Sequence, residues 1–192
     1  AVDREIETSL RSLEALAAPP QLDTGDVPSF YDHVQRVVPW QPRWRAVLLA
    51  DAKGAIELVS TQPLGSVARP AIGDRDYFKE LVATRKPVFS QIITDRSPHP
   101  KPTIMMVVPV IRRGDLRYVL GASLDLSAVS GFMPEQTLPA AWTATILDKN
   151  GTVLARSREP EAWFGRPASA SFRGAGGSAG FAAGEDGGVP AY

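Results

Sequence analysis

The sequence contains no cysteine and only two histidines, so it can form no disulfide, offers no thiolate, and argues against a histidine-rich metal site. No apolar run reaches the length of about 18 residues that indicates a membrane-spanning helix. Lysine plus arginine and aspartate plus glutamate both number 21, so charge gives no reason to expect nucleic acid as a partner. The glycine motifs of serine hydrolases, phosphate loops and dinucleotide sites are also missing. We therefore predict neither a cofactor nor a metal.

The composition that remains is that of a folded protein. Apolar residues make up 44% and charged residues 22% of the 192 residues, which excludes a disordered chain. The length suits one large domain or two small ones.

The N-terminal segment predicts a helix that ends at Pro19-Pro20, because proline cannot continue a helix. An apolar stripe at alternating spacings of four and three residues consists of Val2, Ile6, Ser9, Leu13 and Leu16. This spacing is also that of a coiled-coil seam, so we predict a homodimer through the N-terminal helix.

Two further helices are predicted before residue 90. The segment 25–38 has Asp26 as a candidate N-cap and Pro28 in its first turn, and the segment 73–87 has Asp74 as a candidate cap. The intervening Trp40 and Trp44 are expected to pack against the helices, and a lid over a ligand is the alternative.

Five strands are predicted around the third helix. The stretch VLLADAKGAIELVS indicates a hairpin whose turn uses Asp51 and Gly54. Three β-rich runs follow, VFSQIIT, PTIMMVVPVIRR and LRYVLGASLDL, with a turn between the last two at Gly114-Asp115.

The hairpin recurs nearly a hundred residues later as TATILDKNGTVLARS. Asp148 and Gly151 repeat Asp51 and Gly54 at a constant offset, and each copy is followed by a further glycine, in PLGS and WFGRP. Coincidence is the alternative, since D-x-x-G hairpins are common. The repeat predicts two small antiparallel-sheet domains in tandem.

With its elements in this order, the sequence resembles the double Cache domain, a tandem PAS-like (PDC) extracytoplasmic sensor domain of bacterial membrane receptors. The resemblance covers residues 1–133 and rests on the long first helix, the D-x-x-G hairpin, and the segments GDRDYFK, PVFSQIIT, PTIMMVVPVI and YVLGASLDLSAV. The stretch RVVPWQPRWRAVLLADAKGAIELVSTQPLG is especially similar to ectodomains of sensor histidine kinases.

The resemblance implies an α+β fold in three parts. Residues 1–40 would form an N-terminal helical segment, residues 41–133 a membrane-distal PAS-like ligand-binding module, and residues 134–192 a partial membrane-proximal PAS-like module. Because the second module of such domains normally continues with further strands, we expect it to be incomplete in this sequence.

The resemblance also implies a small-molecule site in the distal module. The positions that match the pattern of amino-acid-binding members are Pro70, Arg75, Tyr77, Phe78 and Asp125. Proline replaces a tyrosine of that pattern, and Tyr77 replaces its usual tryptophan, which argues against an α-amino acid as ligand.

The chemistry of the same residues predicts an anion site. Arg75 falls near the N-terminus of a predicted helix, where its guanidinium and free backbone N–H groups can converge on a carboxylate. Tyr77 would add a hydroxyl, and three strand residues are expected to face the same space: Thr103, Met105 and Ser123.

Each of these residues also has a structural alternative. Arg75 can instead form a structural ion pair with Asp74, Asp76 or Asp125. Asp125 can cap a helix, and Tyr77 and Phe78 can be core residues, Phe78 above all. The segment RSPHPKP is interpreted as a pocket rim or an exposed turn with a solvated histidine.

Two function classes follow. The first is a periplasmic ligand-binding sensor domain of a membrane-anchored receptor, most simply a two-component histidine kinase and alternatively a chemoreceptor or diguanylate cyclase, with no enzyme activity in this part of the chain. The second is a small soluble hydrolase, which would need two carboxylates to pair among Asp76, Asp95 and Asp125, although no local spacing brings two of them together.

Overall fold

The computed structural model describes residues 2–66, 71–97, 101–124, 143–147 and 150–168. The chain separates into two compact units, one containing the described residues 3–124 and the other those from 143 onward. None of the helices within the described ranges combines the length and apolarity needed to cross a membrane.

Three helices precede the sheet of the first unit: α1 (Val2–Leu16), α2 (Gln21–Thr24) and α3 (Val27–Val37), followed by one 3₁₀ turn (Val38–Trp40). As predicted, Asp26 caps α3, because its carboxylate accepts a hydrogen bond from the backbone N–H of Ser29 at 3.1 Å. The short α2 was not predicted. It ends at Gly25, whose φ of 75° is the left-handed conformation that glycine adopts without a steric cost.

The five strands of the first unit are β1 (Trp44–Asp51), β2 (Ile56–Val59), β3 (Val88–Thr94), β4 (Pro102–Arg112) and β5 (Asp115–Leu124). They form one antiparallel sheet in the order β2-β1-β5-β4-β3, and α4 (Asp76–Thr84) connects β2 to β3. The predicted β4–β5 turn is one residue too late: Arg113 and Gly114 occupy it with φ of 53° and 86°, and Asp115 already pairs with Arg112.

The two faces of this sheet carry different layers. Side chains from α1, α2 and α3, including Leu13, Leu22 and Phe30, pack against one face. Side chains of α4, including Phe78 and Leu81, pack against the other. β4 is buried on both faces, which explains its nearly continuous apolar sequence.

A β-bulge at the start of β1 changes which residues share a face. Trp44 pairs with Leu124 and Ala46 pairs with Ser123, so Arg45 is an extra residue on β1. The indole of Trp44 is therefore buried under α1, where its Nε1 donates to the Ser9 hydroxyl at 2.9 Å, while Ala46 faces the α4 side. Trp44 packs as predicted, but Trp40 is 83% exposed, so the prediction that it packs against the helices is wrong.

The part of the α1 apolar stripe whose side chains are described packs inside the first unit. Leu13 and Leu16 are buried in the core shared with the sheet. These two side chains are thus unavailable to a partner chain, and the predicted dimer would have to use other positions of the helix.

Both repeated hairpins are present. In the first, the Asp51 carboxylate accepts hydrogen bonds from the N–H groups of Lys53 and Ala55, and Gly54 has a φ of 90°. The second unit contains β6 (Thr145–Leu147) paired with β7 (Val153–Arg156), and then α5 (Pro160–Trp163). Asp148 lies outside the described residues.

The repeat extends beyond the turn. The carbonyl oxygen of Gly54 accepts a hydrogen bond from the N–H of Ile72 at 2.8 Å, and that of Gly151 accepts one from Ala168 at 2.7 Å. In each unit the chain thus returns across the turn of its own hairpin. The prediction of two antiparallel sheets in tandem is confirmed.

Candidate functional site

A cavity of about 240 Å³ lies on the α4 side of the five-stranded sheet. Its described lining comprises Arg45, Ala46, Leu48, Ile56, Val59, Thr61, Gln62, Ile72, Arg75, Tyr77, Ile93, Asp95, Arg96, Ser97, Lys101, Met105 and Ser123. Strands supply most of the apolar residues, and the segments around β3 and α4 supply most of the charged ones.

Local irregularities of β1 and β2 shape the apolar part of the cavity. Leu49 pairs with Leu58 and Ala50 pairs with Ile56, so a bulge lies between these two pairs. Ile56 and Val59 can therefore both face the cavity, although strict alternation would separate them. The result is an apolar wall of β-branched side chains.

Arg75, the residue that immediately precedes α4, lines the cavity. One of its amino groups, Nη2, donates to the backbone carbonyl of Thr94 at 2.9 Å, which fixes the guanidinium against the end of β3. Within the described part of the chain, Arg75 forms no ion pair and its Nε and Nη1 have no hydrogen-bond partner. The guanidinium is thus held in place, and its Nε and Nη1 groups remain available as donors.

Asp74 does not cap α4, contrary to the prediction. The N-cap position belongs to Arg75, and no side chain caps the helix there. Both carboxylate oxygens of Asp74 instead accept hydrogen bonds from the guanidinium of Arg96, which also bonds the carbonyl of Ala71. This hydrogen bonding lowers the pKa of Asp74 and raises that of Arg96. The alternative in which Arg75 pairs with Asp74 is therefore wrong, because a residue from the distant β3–β4 connection takes that carboxylate.

Tyr77 lies at the start of α4 and is 5% exposed. Burial raises the pKa of its phenol to about 12, so the hydroxyl keeps its proton throughout the physiological range. That hydroxyl makes no hydrogen bond to any residue in the described ranges, and Tyr77 is one of the residues that line the cavity. The hydroxyl is available as a donor to a ligand.

A second pair of charged residues lines the cavity from β1 and from the end of β3. The guanidinium of Arg45, the extra residue of the β1 bulge, forms an ion pair with Asp95. The other carboxylate oxygen of Asp95 accepts hydrogen bonds from the backbone N–H groups of Ser97 at 3.0 Å and Lys101 at 3.3 Å. Asp95 is thus ion-paired with Arg45 and hydrogen-bonded through one oxygen, while the oxygen that faces Arg45 is buried and makes no hydrogen bond to a described residue.

The predicted site residues separate into three groups. Arg75, Tyr77, Met105 and Ser123 line the cavity. Phe78 is a core residue, and Thr103 is fully buried with its hydroxyl donating to the carbonyl of Leu124 at 2.8 Å, so neither belongs to the cavity lining. Pro70 and Asp125 lie outside the described residues.

Four charged lining residues were not predicted as ligand-binding residues: Arg45, Asp95, Arg96 and Lys101. Two of them belong to the segment RSPHPKP, which was interpreted as a pocket rim or an exposed turn and was the signal available. Arg45 gave no signal, because the bulge that turns it toward the cavity is not visible in the alternation of β1.

The residues also bear on acid–base chemistry. Asp95 is ion-paired with Arg45, and the carboxylate of Asp76 is fully exposed on the first turn of α4. These two carboxylates therefore do not form a catalytic pair. The described residues contain no group of histidine and acidic side chains that could hold a metal ion.

Several solved structures share the fold of this chain. The ligand-binding domain of the Pseudomonas aeruginosa amino acid chemoreceptor PctC, in complex with GABA, is 15% identical with a TM-score of 0.68, and the match covers 86% of this chain and 73% of that one. The ligand-binding domain of the Pseudomonas fluorescens chemoreceptor CtaA, in complex with L-serine, is 12% identical with a TM-score of 0.69, covering 85% and 68%. An extracellular ligand binding receptor from Desulfohalobium retbaense is 18% identical with a TM-score of 0.64, covering 82% of this chain.

This chain spans only 29% of the length of the Desulfohalobium receptor. No protein-family model matches the sequence, and no curated protein matches it. At the identities of the solved structures, what is shared is the fold. The chain thus has the α+β, PAS-like fold of the Cache-type extracellular ligand-binding domains, as its sequence predicts.

Proposed function

We propose that this chain is the extracytoplasmic sensor domain of a membrane-anchored receptor and that it binds a small organic acid between the five-stranded sheet and α4. The observation that carries the proposal is the cavity in which Arg75 and Tyr77 present unused donors beside an apolar wall. The structurally similar chemoreceptor domains in complex with GABA and L-serine support a small organic ligand.

The carboxylate of the ligand would bind Arg75 and Tyr77. Because Nη2 of Arg75 is tied to Thr94, the planar guanidinium is already oriented, and Nε and Nη1 can donate without a large loss of side-chain entropy. The neutral Tyr77 hydroxyl can add a third donor. Such charge-assisted hydrogen bonds are about twice as strong as neutral ones.

A ligand bound in the cavity can change the position of α1 through the start of β1. Arg45 lines the cavity, and its neighbour Trp44 lies under α1 and donates to Ser9. A ligand that shifts the bulge would therefore shift the contact between β1 and α1. This is the two-state element that we assign to signalling, with residues 41–133 as the ligand-binding module and residues 134–192 as a second module of the same sensor.

For the output of the receptor we propose a histidine kinase, and a chemoreceptor or a diguanylate cyclase is the alternative. The resemblance of residues 36–65 to sensor kinase ectodomains supports the kinase. Ligand-dependent autophosphorylation from ATP, measured on the full-length receptor in membranes, tests this part. A receptor that binds ligand and synthesises cyclic di-GMP would contradict it.

The ligand site is tested by substitution of Arg75. Aliphatic and aromatic carboxylates and the twenty amino acids are screened by thermal shift, and the best hit is titrated into wild type, Arg75→Ala and Arg75→Lys by calorimetry. We expect both variants to bind about 10- to 100-fold more weakly, because the lost bonds contribute about 1.5–3 kcal/mol and a lysine point charge cannot replace the planar fork.

Lys79→Ala is the matched control, since it removes a cation from the exposed surface of α4 outside the cavity. It should leave the affinity unchanged. Equal affinity in a folded Arg75→Ala protein, with a lower melting temperature in the absence of ligand, would instead assign Arg75 a purely structural role and contradict the proposed site.

A further inference from the structure

We infer that the cavity selects a carboxylate with an apolar body and without an ammonium group, such as a branched aliphatic acid, over the α-amino acid of the same skeleton. The inference rests on the proposed function, because it concerns the ligand class of that same site. The basis is a comparison of the charged lining residues that have a counter-ion within the protein with those that have none.

The polar end of the cavity is left with positive charge. Arg45 is neutralised by Asp95 and Arg96 by Asp74. Arg75 forms its hydrogen bond with a backbone carbonyl, which leaves its charge without a counter-ion among the described residues. This end therefore attracts an anion.

No carboxylate of the described lining is without a cationic partner. Asp95 is the one acidic residue among these lining positions. One of its oxygens lies against Arg45, and the other accepts the N–H groups of Ser97 and Lys101. An ammonium group placed here would lose its hydration and meet Arg75 as a like charge, and both effects oppose binding.

The rest of the cavity suits an apolar body. Leu48, Ile56, Val59, Ile93 and Met105 line it from four strands. Its volume of about 240 Å³ lies below the range of about 300–1,000 Å³ typical of drug-sized ligand sites, so the body must be small. A branched chain of a few carbons would exclude water from the apolar wall while its carboxylate reaches Arg75.

Three probes with one skeleton test the inference: 4-methylpentanoate, leucine and 4-methylpentanamide. Each is titrated into the wild-type protein by calorimetry, with thermal shift as an independent readout. We expect 4-methylpentanoate to bind at least about tenfold more tightly than leucine, because an unpaired buried charge is costly, and the neutral amide to bind more weakly than the acid.

Asp95→Asn tests whether this carboxylate only pairs with Arg45 or also binds the ammonium group of a ligand. The variant keeps the oxygen that accepts from Ser97 and Lys101 but releases Arg45, so we expect 4-methylpentanoate to bind at least as tightly as to wild type. Loss of leucine binding on this substitution would show that Asp95 receives the ammonium group and would overturn the inference.

The remaining outcomes distinguish the inference from the function on which it rests. If leucine binds as tightly as 4-methylpentanoate and Arg75→Ala weakens both, the inference fails and the proposed anion site stands. If the amide binds as tightly as the acid, or if neither acid nor leucine stabilises the protein, both the inference and the anion site are overturned.

Discussion

The two faces of the five-stranded sheet are built from the same strands but differ in how completely they are packed. The face under α1, α2 and α3 is closed by fully buried side chains such as Leu13, Phe30 and Leu49. The face under α4 contains a smaller core and, beside it, a cavity bordered by charged and hydroxyl groups. The closed core therefore lies on one face and the proposed ligand site on the other, so stability and ligand affinity should respond to different substitutions.

Two adjacent leucines of β1 test this difference most directly, because Leu49 faces the helices and Leu48 faces the cavity. We expect Leu49→Ala to lower the free energy of unfolding by about 3–5 kcal/mol, since it leaves a void in a closed core. Leu48→Ala should cost about 1 kcal/mol, because Leu48 is only half-buried and already borders a cavity. Urea unfolding of both variants measures the difference, and equal losses would show that the faces do not differ in packing.

The next largest effect concerns the turn at Gly54, where the backbone of the segment before α4 crosses the first hairpin. A methyl group on Gly54 would lie 2.4 Å from the backbone nitrogen of Gly73, and the residue has a φ of +90°. Gly54→Ala combines the left-handed backbone cost with overpacking, so we expect a loss of about 2–5 kcal/mol.

Gly114→Ala is the matched control for Gly54→Ala. Gly114 has a φ of +86° but no atom within 4 Å of the added methyl group, so the expected loss is about 1–2 kcal/mol. Thermal unfolding in the absence of ligand compares the two variants. If Gly114→Ala were as costly as Gly54→Ala, the close approach to Gly73 would have no energetic importance.

The smallest expected effect is at Tyr77, a residue that belongs to the core beside α4 and also lines the cavity. Tyr77→Phe should weaken binding of a carboxylate ligand by about two- to tenfold, because it removes one neutral hydrogen-bond donor. Unchanged affinity would mean that the hydroxyl does not contact the ligand.

The same substitution has a pH signature. Because the pKa of Tyr77 is about 12 in the folded protein and 10.0 in its unperturbed state, the unfolded chain releases the proton first as the pH rises. The contribution of Tyr77 is fully present below pH 10 and is lost between pH 10 and 12. Wild type should therefore lose more stability than Tyr77→Phe over this interval, as measured by chemical denaturation at each pH.

The elements on both faces could be predicted from the sequence because their signals are local. Helical spacing, the Asp26 cap, the turn chemistry of Asp51 and Gly54 and the apolar run of β4 each depend on residues within a few positions of one another. The short α2 was missed because a single helical turn after two prolines leaves no periodic pattern.

The cavity was harder to predict because its polar partners come from distant segments. Arg75 and Tyr77 could be selected from a pattern at the start of α4, but the bonds of Asp74 to Arg96 and of Arg75 to Thr94 join residues about twenty positions apart. Which aspartate meets which arginine depends on how the β3–β4 connection packs against α4, and no local rule encodes that.

By itself, the sequence determined the α+β class, the tandem hairpins, the order of all helices and strands except α2, and Arg75 and Tyr77 as candidate binding residues, since these follow from periodicity, turn residues and family resemblance. Only the tertiary structure decided that Trp44 lies under α1 while Arg45 lines the cavity, and that Trp40 is exposed. The physical reason is the β1 bulge, because one inserted residue reverses which side chains face the helices, and strict alternation cannot reveal it.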